Sequence, residues 1–168
     1  MRLAETRLFG DGRLSMPWLD GAQIERALEQ TFQQILATRM LGMPLLNPAL
    51  AVRALGFRRV DHDWLGVLIT PWCMNLLLLP TTESAWITQP PGNKFEQAFP
   101  YGSFEFTVAR ETQLGSYAQC SLFSPMLQFA DQAAAITAGQ SALQALLSQP
   151  APRAVSRRDM LRGQFGGR

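Results

Sequence analysis

Residues 64–80, WLGVLITPWCMNLLLLP, decide the fold of this chain because they hold two apolar runs separated by a turn. The runs 64–69 and 74–79 are apolar at both odd and even positions, and Thr70 and Pro71 interrupt them. Short apolar runs bounded by turn signals are typical of β-strands that are buried on both faces. The segment therefore predicts two neighbouring strands in the interior of a sheet or beneath a helix.

The predicted sheet extends on both sides of this pair. Arg53–Val60 precedes it, and the polar residues Asp61, His62 and Asp63 suit a hairpin turn between the strands. Two later strands are predicted at 103–109, where apolar and polar residues alternate, and at 114–123. Segment 80–101 is rich in proline and glycine, and we predict a long, ordered, functional loop there.

An apolar stripe at helical spacing lies on each side of the sheet segments in the sequence. Residues 18–40 carry the first, with Asp20 as its cap. The second is predicted to begin with Ser124 as N-cap and Pro125 as the first helical residue, and to end at Pro150. The stripes consist of Ile24, Leu28, Phe32, Ile35 and Leu36, and of Met126, Phe129, Ala133, Ile136, Leu143 and Leu147.

This order of elements predicts one α+β domain over residues 1–150, with an antiparallel sheet of about five strands packed with an N-terminal and a C-terminal helix. Residues 151–168 are predicted to be a basic, flexible tail. The tail carries a charge of +4, although the 168-residue chain as a whole carries only +2. The body has one lysine, Lys94, so we expect no nucleic-acid binding.

The sequence offers little for catalysis or metal binding. Of its two cysteines and one histidine, Cys73 or Cys120 could pair with His62 as nucleophile and base, which leaves a thiol-dependent enzyme as an alternative. Neither cysteine belongs to a Cys-x-x-Cys pair, so we expect no catalytic residues, no metal and no cofactor. Neither a membrane-spanning run nor an N-terminal hydrophobic leader is present, which predicts a cytoplasmic protein without membrane insertion.

Five segments of the sequence stand out together: NPALAV at 47–52, the apolar stretch 64–80, LGSY at 114–117, CSLFSPM at 120–126 and the tail 156–163. In these segments the chain resembles the HybE/HupJ family of [NiFe]-hydrogenase assembly chaperones. Large amphipathic side chains beside polar ones recur at adaptable binding surfaces. The partner-binding candidates in or near these segments are Trp72, Met74, Asn75, Lys94, Tyr117, Ser121, Phe123 and Met126.

The resemblance implies a non-enzymatic chaperone whose partners are the large- and small-subunit precursors of a [NiFe]-hydrogenase. The small subunit carries a twin-arginine signal peptide, and the chaperone would delay export until assembly is complete. A scaffold that binds the large subunit alone is the alternative. Some relatives carry a fused rubredoxin module with two Cys-x-x-Cys pairs, which this sequence lacks.

The tail itself reads like a twin-arginine motif, SRRDMLR at 156–162. We hypothesise that Arg157, Arg158, Met160 and Leu161 occupy the client groove when no client is bound, acting as a tethered competitor. Carboxylates that could pair with the two guanidinium groups are Glu83, Glu96 and Glu105. The simpler interpretation is a solvated basic tail.

Overall fold

A computed structural model describes residues 7–9, 13–15 and 18–148. The first two segments, β1 (Arg7–Phe9) and β2 (Arg13–Ser15), form a small antiparallel ribbon. The main body contains α1 (Gly21–Ile35), which continues as a π-helical turn (Leu36–Met40), then β3 (Arg53–Val60), β4 (Asp63–Ile69), β5 (Met74–Pro80), β6 (Lys94–Phe99), β7 (Gly102–Glu111), β8 (Gly115–Phe123) and α2 (Gln132–Ser148). The predicted tail lies outside the described residues.

Six of the strands form one antiparallel sheet in the order β3-β4-β5-β8-β7-β6. Every residue of β4 and β5 is buried. The prediction that these strands lie in the interior of the sheet is therefore confirmed, as is the α+β class.

The sheet is buried because a helix packs on each of its faces. On one face, Ile24, Leu28 and Phe32 of α1 join a cluster with Leu68 and Leu77. The side chains of α2 that join the cluster on the other face are Ala135, Leu143 and Leu146. Asp20 caps α1 as predicted, since its carboxylate accepts a hydrogen bond of 2.7 Å from the Gln23 amide.

Strand β3 is one border of the sheet, and α1 covers its free amides. Glu25 Oε1 accepts from the Phe57 N–H at 3.2 Å, and Glu29 Oε1 accepts from the Ala54 N–H at 3.1 Å. The pairing with β4 shifts between Leu55 and Arg58, where Gly56 adopts a φ of 72°. These carboxylates therefore satisfy amides that no neighbouring strand reaches.

Strand β6 corrects the expected strand count from about five to six, because it lies inside the predicted loop 80–101. Phe95 stacks between Trp86 and Phe106, with ring-centroid distances of 5.4 and 6.0 Å. The other side of the strand is exposed, with Lys94 and Glu96 outermost. This short strand is flanked by proline and glycine, so its alternation was hidden in the sequence.

The start of α2 is a second correction, since the helix begins at Gln132 and not at Pro125. Asp131 caps it by accepting a 2.8 Å hydrogen bond from the Ala134 amide. Ahead of the helix, Met126 is fully buried in the core, and the carbonyl groups of Met126 and Phe129 bind a side chain from elsewhere in the chain. These tertiary contacts hold the segment in an irregular conformation.

The buried carboxylate of Asp63 holds the loop between β5 and β6 in place through hydrogen bonds. Asp63, only 7% exposed, accepts hydrogen bonds from Ser84 Oγ and from Trp86 Nε1, the latter at 3.1 Å. Burial raises the pKa of Asp63 above its ordinary value, and the two hydrogen bonds oppose that shift in part.

Replacing this carboxylate, Asp63→Asn, is expected to change how stability depends on pH. The raised pKa means that the folded protein binds the proton more tightly than the unfolded chain, so the associated stability is present in acid and is lost as pH rises through the folded pKa. The asparagine variant has no carboxyl group at position 63 and therefore does not bind this proton. Its free energy of unfolding relative to the parent should therefore increase as pH rises from the ordinary value of 3.8 towards neutrality. Denaturant unfolding across this range measures the difference, and a constant difference would contradict the expectation.

Candidate functional site

Three loops meet at one end of the sheet, and the buried side chain of Asn47 joins them. Its Nδ2 donates to the carbonyl groups of Met126 at 3.0 Å and Phe129 at 2.8 Å, while its Oδ1 accepts from the Ala49 amide at 2.9 Å. The backbone N–H of Asn47 donates to the Pro71 carbonyl at 2.9 Å. Segments 41–50, 70–73 and 124–131, far apart in sequence, are thereby fixed against one another.

Large apolar side chains are exposed on two of these joined segments. Among residues 18–148, five large apolar side chains are exposed, and four of them lie on these segments. We call these four the apolar rim: Leu41, Met43, Leu45 and Leu127, exposed by 74%, 45%, 49% and 56%. The fifth, Leu19, precedes α1. Clustered exposed apolar groups of this kind mark interaction surfaces in soluble proteins.

A polar pocket of about 350 Å³ lies beside the rim, on the part of the sheet face that α1 leaves open. Cys73 and Ser124, which belong to the joined loops, line it together with Cys120. Strands β5 to β8 contribute the polar side chains that line this cavity, which we call the polar pocket: Asn75, Lys94, Glu105, Thr107, Gln119 and Ser121. Strand pairing places Asn75 opposite Ser121 and Thr107 opposite Gln119, so one continuous surface results.

The floor of the pocket is built around amide and ionic groups. Asn75 is 8% exposed and donates from Nδ2 to Gln119 Oε1 at 3.2 Å. Lys94 Nζ lies 2.8 Å from Glu105 Oε1. Glu96 pairs with Glu105 across β6 and β7, which adds a second carboxylate on the same face.

The structure brings together some of the residues singled out from sequence and separates others. Asn75, Lys94 and Ser121 meet in the polar pocket. Trp72 and Phe123 are half-buried beside it, each packed against a core cluster. Three further candidates lie in the core: Met74, Tyr117 and Met126. Their roles in binding remain predictions.

The apolar rim and two pocket residues, Thr107 and Gln119, were not predicted from the sequence. Glu105 and Glu96, two of the carboxylates predicted as partners for the tail, lie opposite each other on β7 and β6. Glu83 lies elsewhere, since its carboxylate is 3.0 Å from His62 Nδ1, beside the turn between β3 and β4.

The two thiols lie far from the histidine in the fold. His62 precedes β4 and Cys73 follows it, so the strand separates them by about 20 Å. Burial raises the pKa of the Cys73 thiol, which disfavours the thiolate. Cys120 is 2% exposed. The predicted alternative of a Cys-His pair therefore finds no support in this geometry.

The described residues contain no cluster of three or more histidine, cysteine or acidic side chains able to hold a metal ion. Within the same part of the chain, no helix is long and apolar enough to cross a membrane.

Exposed leucines beside a polar cavity are features of a protein-binding protein, and comparison with known sequences identifies which kind. Residues 23–163 match the profile of the family described as [NiFe]-hydrogenase assembly, chaperone, HybE. The chain is 40% identical over 142 residues to the hydrogenase expression/formation protein HupT of Azotobacter chroococcum, covering 82% of this chain and 94% of that protein. It is 37% identical over 147 residues to the hydrogenase expression/formation protein HupJ of Bradyrhizobium diazoefficiens, covering 81% and 85%.

The chain belongs to the HybE/HupJ/HoxT family of [NiFe]-hydrogenase assembly chaperones, a non-enzymatic class. The resemblance noted from sequence is thus confirmed. A solved structure, the solution structure of HybE from Escherichia coli, shares the fold with a TM-score of 0.62 at 24% identity, covering 86% of this chain and 89% of that one.

Proposed function

We propose that this chaperone acts in the cytoplasm, where it binds [NiFe]-hydrogenase subunit precursors and delays their export until assembly is complete. Its clients are the small-subunit precursor, recognised with its twin-arginine signal peptide, and the large-subunit precursor. The apolar rim and the polar pocket together contact the client.

The observation that carries this proposal is the convergence at Asn47. The segments through which the sequence resembles its family, 47–52, 64–80 and 120–126, contribute residues to one end of the sheet. Four exposed apolar side chains lie there beside a polar pocket. A fixed framework carrying apolar anchors next to polar groups is suited to binding a polypeptide without remodelling it.

Charge placed on the rim is expected to prevent client binding. The double substitution Leu45→Asp and Leu127→Asp should weaken capture of a hydrogenase precursor at least about tenfold, because two apolar anchors are lost and two carboxylates must be desolvated. Binding of purified precursor to immobilised chaperone measures the effect.

Leu19→Asp is the matched control, since Leu19 is 74% exposed but lies on neither of the segments that Asn47 joins. All three positions are exposed, so the free energy of unfolding should change by no more than about 0.5 kcal/mol per substitution. Equal capture by the rim variant and the control would refute the assignment of the client surface.

The two classes of client are separated by parallel titrations. One uses a labelled peptide with the small-subunit signal sequence, and the other uses the large-subunit precursor. Binding of both supports the proposal as stated. Binding of the large subunit alone would support the alternative, a scaffold that ignores the signal peptide.

A further inference from the structure

The polar pocket contains a buried hydrogen-bond acceptor without a donor. Asn75 is 8% exposed, and its Oδ1 has no hydrogen-bond partner among the described residues, although its Nδ2 donates to Gln119. Buried polar atoms in folded proteins are nearly always paired. Because Asn75 lines the open pocket, a group bound there can supply the missing N–H once the buried Oδ1 turns towards it.

The surroundings of this atom favour a cationic donor. The carboxylate of Glu105 lines the same pocket, and Glu96 lies across the strand pair from it. Lys94, the cation already present, is 60% exposed and is held through a single flexible side chain. Arginine is the side chain that fits such a set, because its planar guanidinium has five N–H donors and no acceptor.

We propose that the polar pocket holds an arginine side chain from the chain's own C-terminal segment, Arg157 or Arg158. The described fold ends at Ser148, close to the β6–β7 turn, since the Tyr101 amide donates to the Leu146 carbonyl at 3.2 Å. Glu105 lies four residues along β7 from Tyr101, or about 13 Å. Because α2 and the pocket lie on opposite faces, the path also passes round the sheet, about 10 Å. Residues 149–156 can span about 26 Å when extended, so the arginine pair can still reach the pocket.

Charge favours the same occupant. Residues 153–168 contain five arginines and one aspartate, whereas acidic residues outnumber basic ones by twelve to ten in the rest of the chain. A segment attached through so short a tether has an effective concentration near the millimolar range. Any client arginine that uses the pocket must displace it, so the segment sets a threshold for client binding.

The first test compares two full-length variants by NMR of the side-chain amide groups. Arg157→Gln with Arg158→Gln should move the signals of Asn75 and Gln119, because the bound guanidinium is removed. Arg153→Gln with Arg168→Gln has the same change in charge outside the arginine pair, and should leave both signals in place. Unmoved signals in the first variant, or equal movement in both, would overturn the proposal.

The second test adds a synthetic peptide of residues 151–168 in trans. It should bind the Arg157→Gln, Arg158→Gln chain about tenfold more tightly than the parent chain, since the tethered competitor is gone. In that background Glu105→Gln should weaken peptide binding and Glu83→Gln, far from the pocket, should not. Equal affinity for parent and variant, or equal effects of the two glutamine substitutions, would contradict the assignment.

These tests use only the chain and its own segment. Their failure would leave client binding by the rim intact, and a failure of client binding would leave the pocket assignment standing.

Discussion

Gly66→Val is expected to destabilise the protein by about 3 kcal/mol, because the added side chain overpacks the core around Phe57. Gly66 lies in β4, and a Cβ there would stand only 2.4 to 2.6 Å from three ring atoms of Phe57. Phe57 is 7% exposed and belongs to the core cluster beneath α1. The ring must leave its place to admit a side chain, and denaturant unfolding measures the loss.

A double-mutant cycle tests the cause of this loss. If the clash with the ring is responsible, Gly66→Ala should cost at least about 1 kcal/mol less in a Phe57→Leu background than in the parent chain. Gly102→Ala in β7 is the control, because a Cβ at that position meets nothing within 4 Å. Additive effects at positions 57 and 66 would show that the packing explanation is wrong.

Asn47→Leu is expected to cost about 2 kcal/mol and to loosen the proposed client surface at the same time. Leucine keeps the size of the side chain, but it leaves the Phe129 carbonyl and the Ala49 amide without their partner, while the Met126 carbonyl keeps only its bond from the Phe129 amide. Unsatisfied buried groups are more costly than the hydrogen bonds are favourable. Chemical denaturation measures the loss in free energy of unfolding. Hydrogen exchange at residues 124–131 should show a local loss of protection.

Asn93→Leu serves as the comparison, since Asn93 is exposed in the loop before β6. We expect it to change the free energy of unfolding by no more than about 0.5 kcal/mol. A loss below 1 kcal/mol for Asn47→Leu, or unchanged exchange in 124–131, would mean that other contacts hold the loops together.

Much of the fold could be predicted because burial on both faces leaves a clear pattern in sequence. Strands β4 and β5 are apolar at both parities, and α1 has a regular stripe and a capping Asp20. Strand β6 was missed because proline and glycine flank it and because its two phenylalanines pack against distant aromatic residues, contacts that local sequence does not reveal. The start of α2 was misplaced because Asn47 engages the segment ahead of it.

The candidate site was only partly predictable for a topological reason. Asn75, Lys94 and Ser121 were singled out separately, yet they meet only because β8 is inserted between β5 and β7. Nothing in a single sequence specifies that order of strands. The rim was missed because a leucine in a loop reads the same whether it is buried or exposed, and its exposure depends on how Asn47 holds the loops.

The two borders of the sheet bear on how this protein behaves at high concentration. The β3 border is closed by Glu25 and Glu29, and the β6 border presents Lys94 and Glu96 in alternation with less exposed residues. Charged or covered borders resist the strand-to-strand polymerisation that leads to fibrils. A protein with exposed leucines at one end can thus stay dispersed, because its contacts with other molecules are confined to that end and do not extend along the sheet.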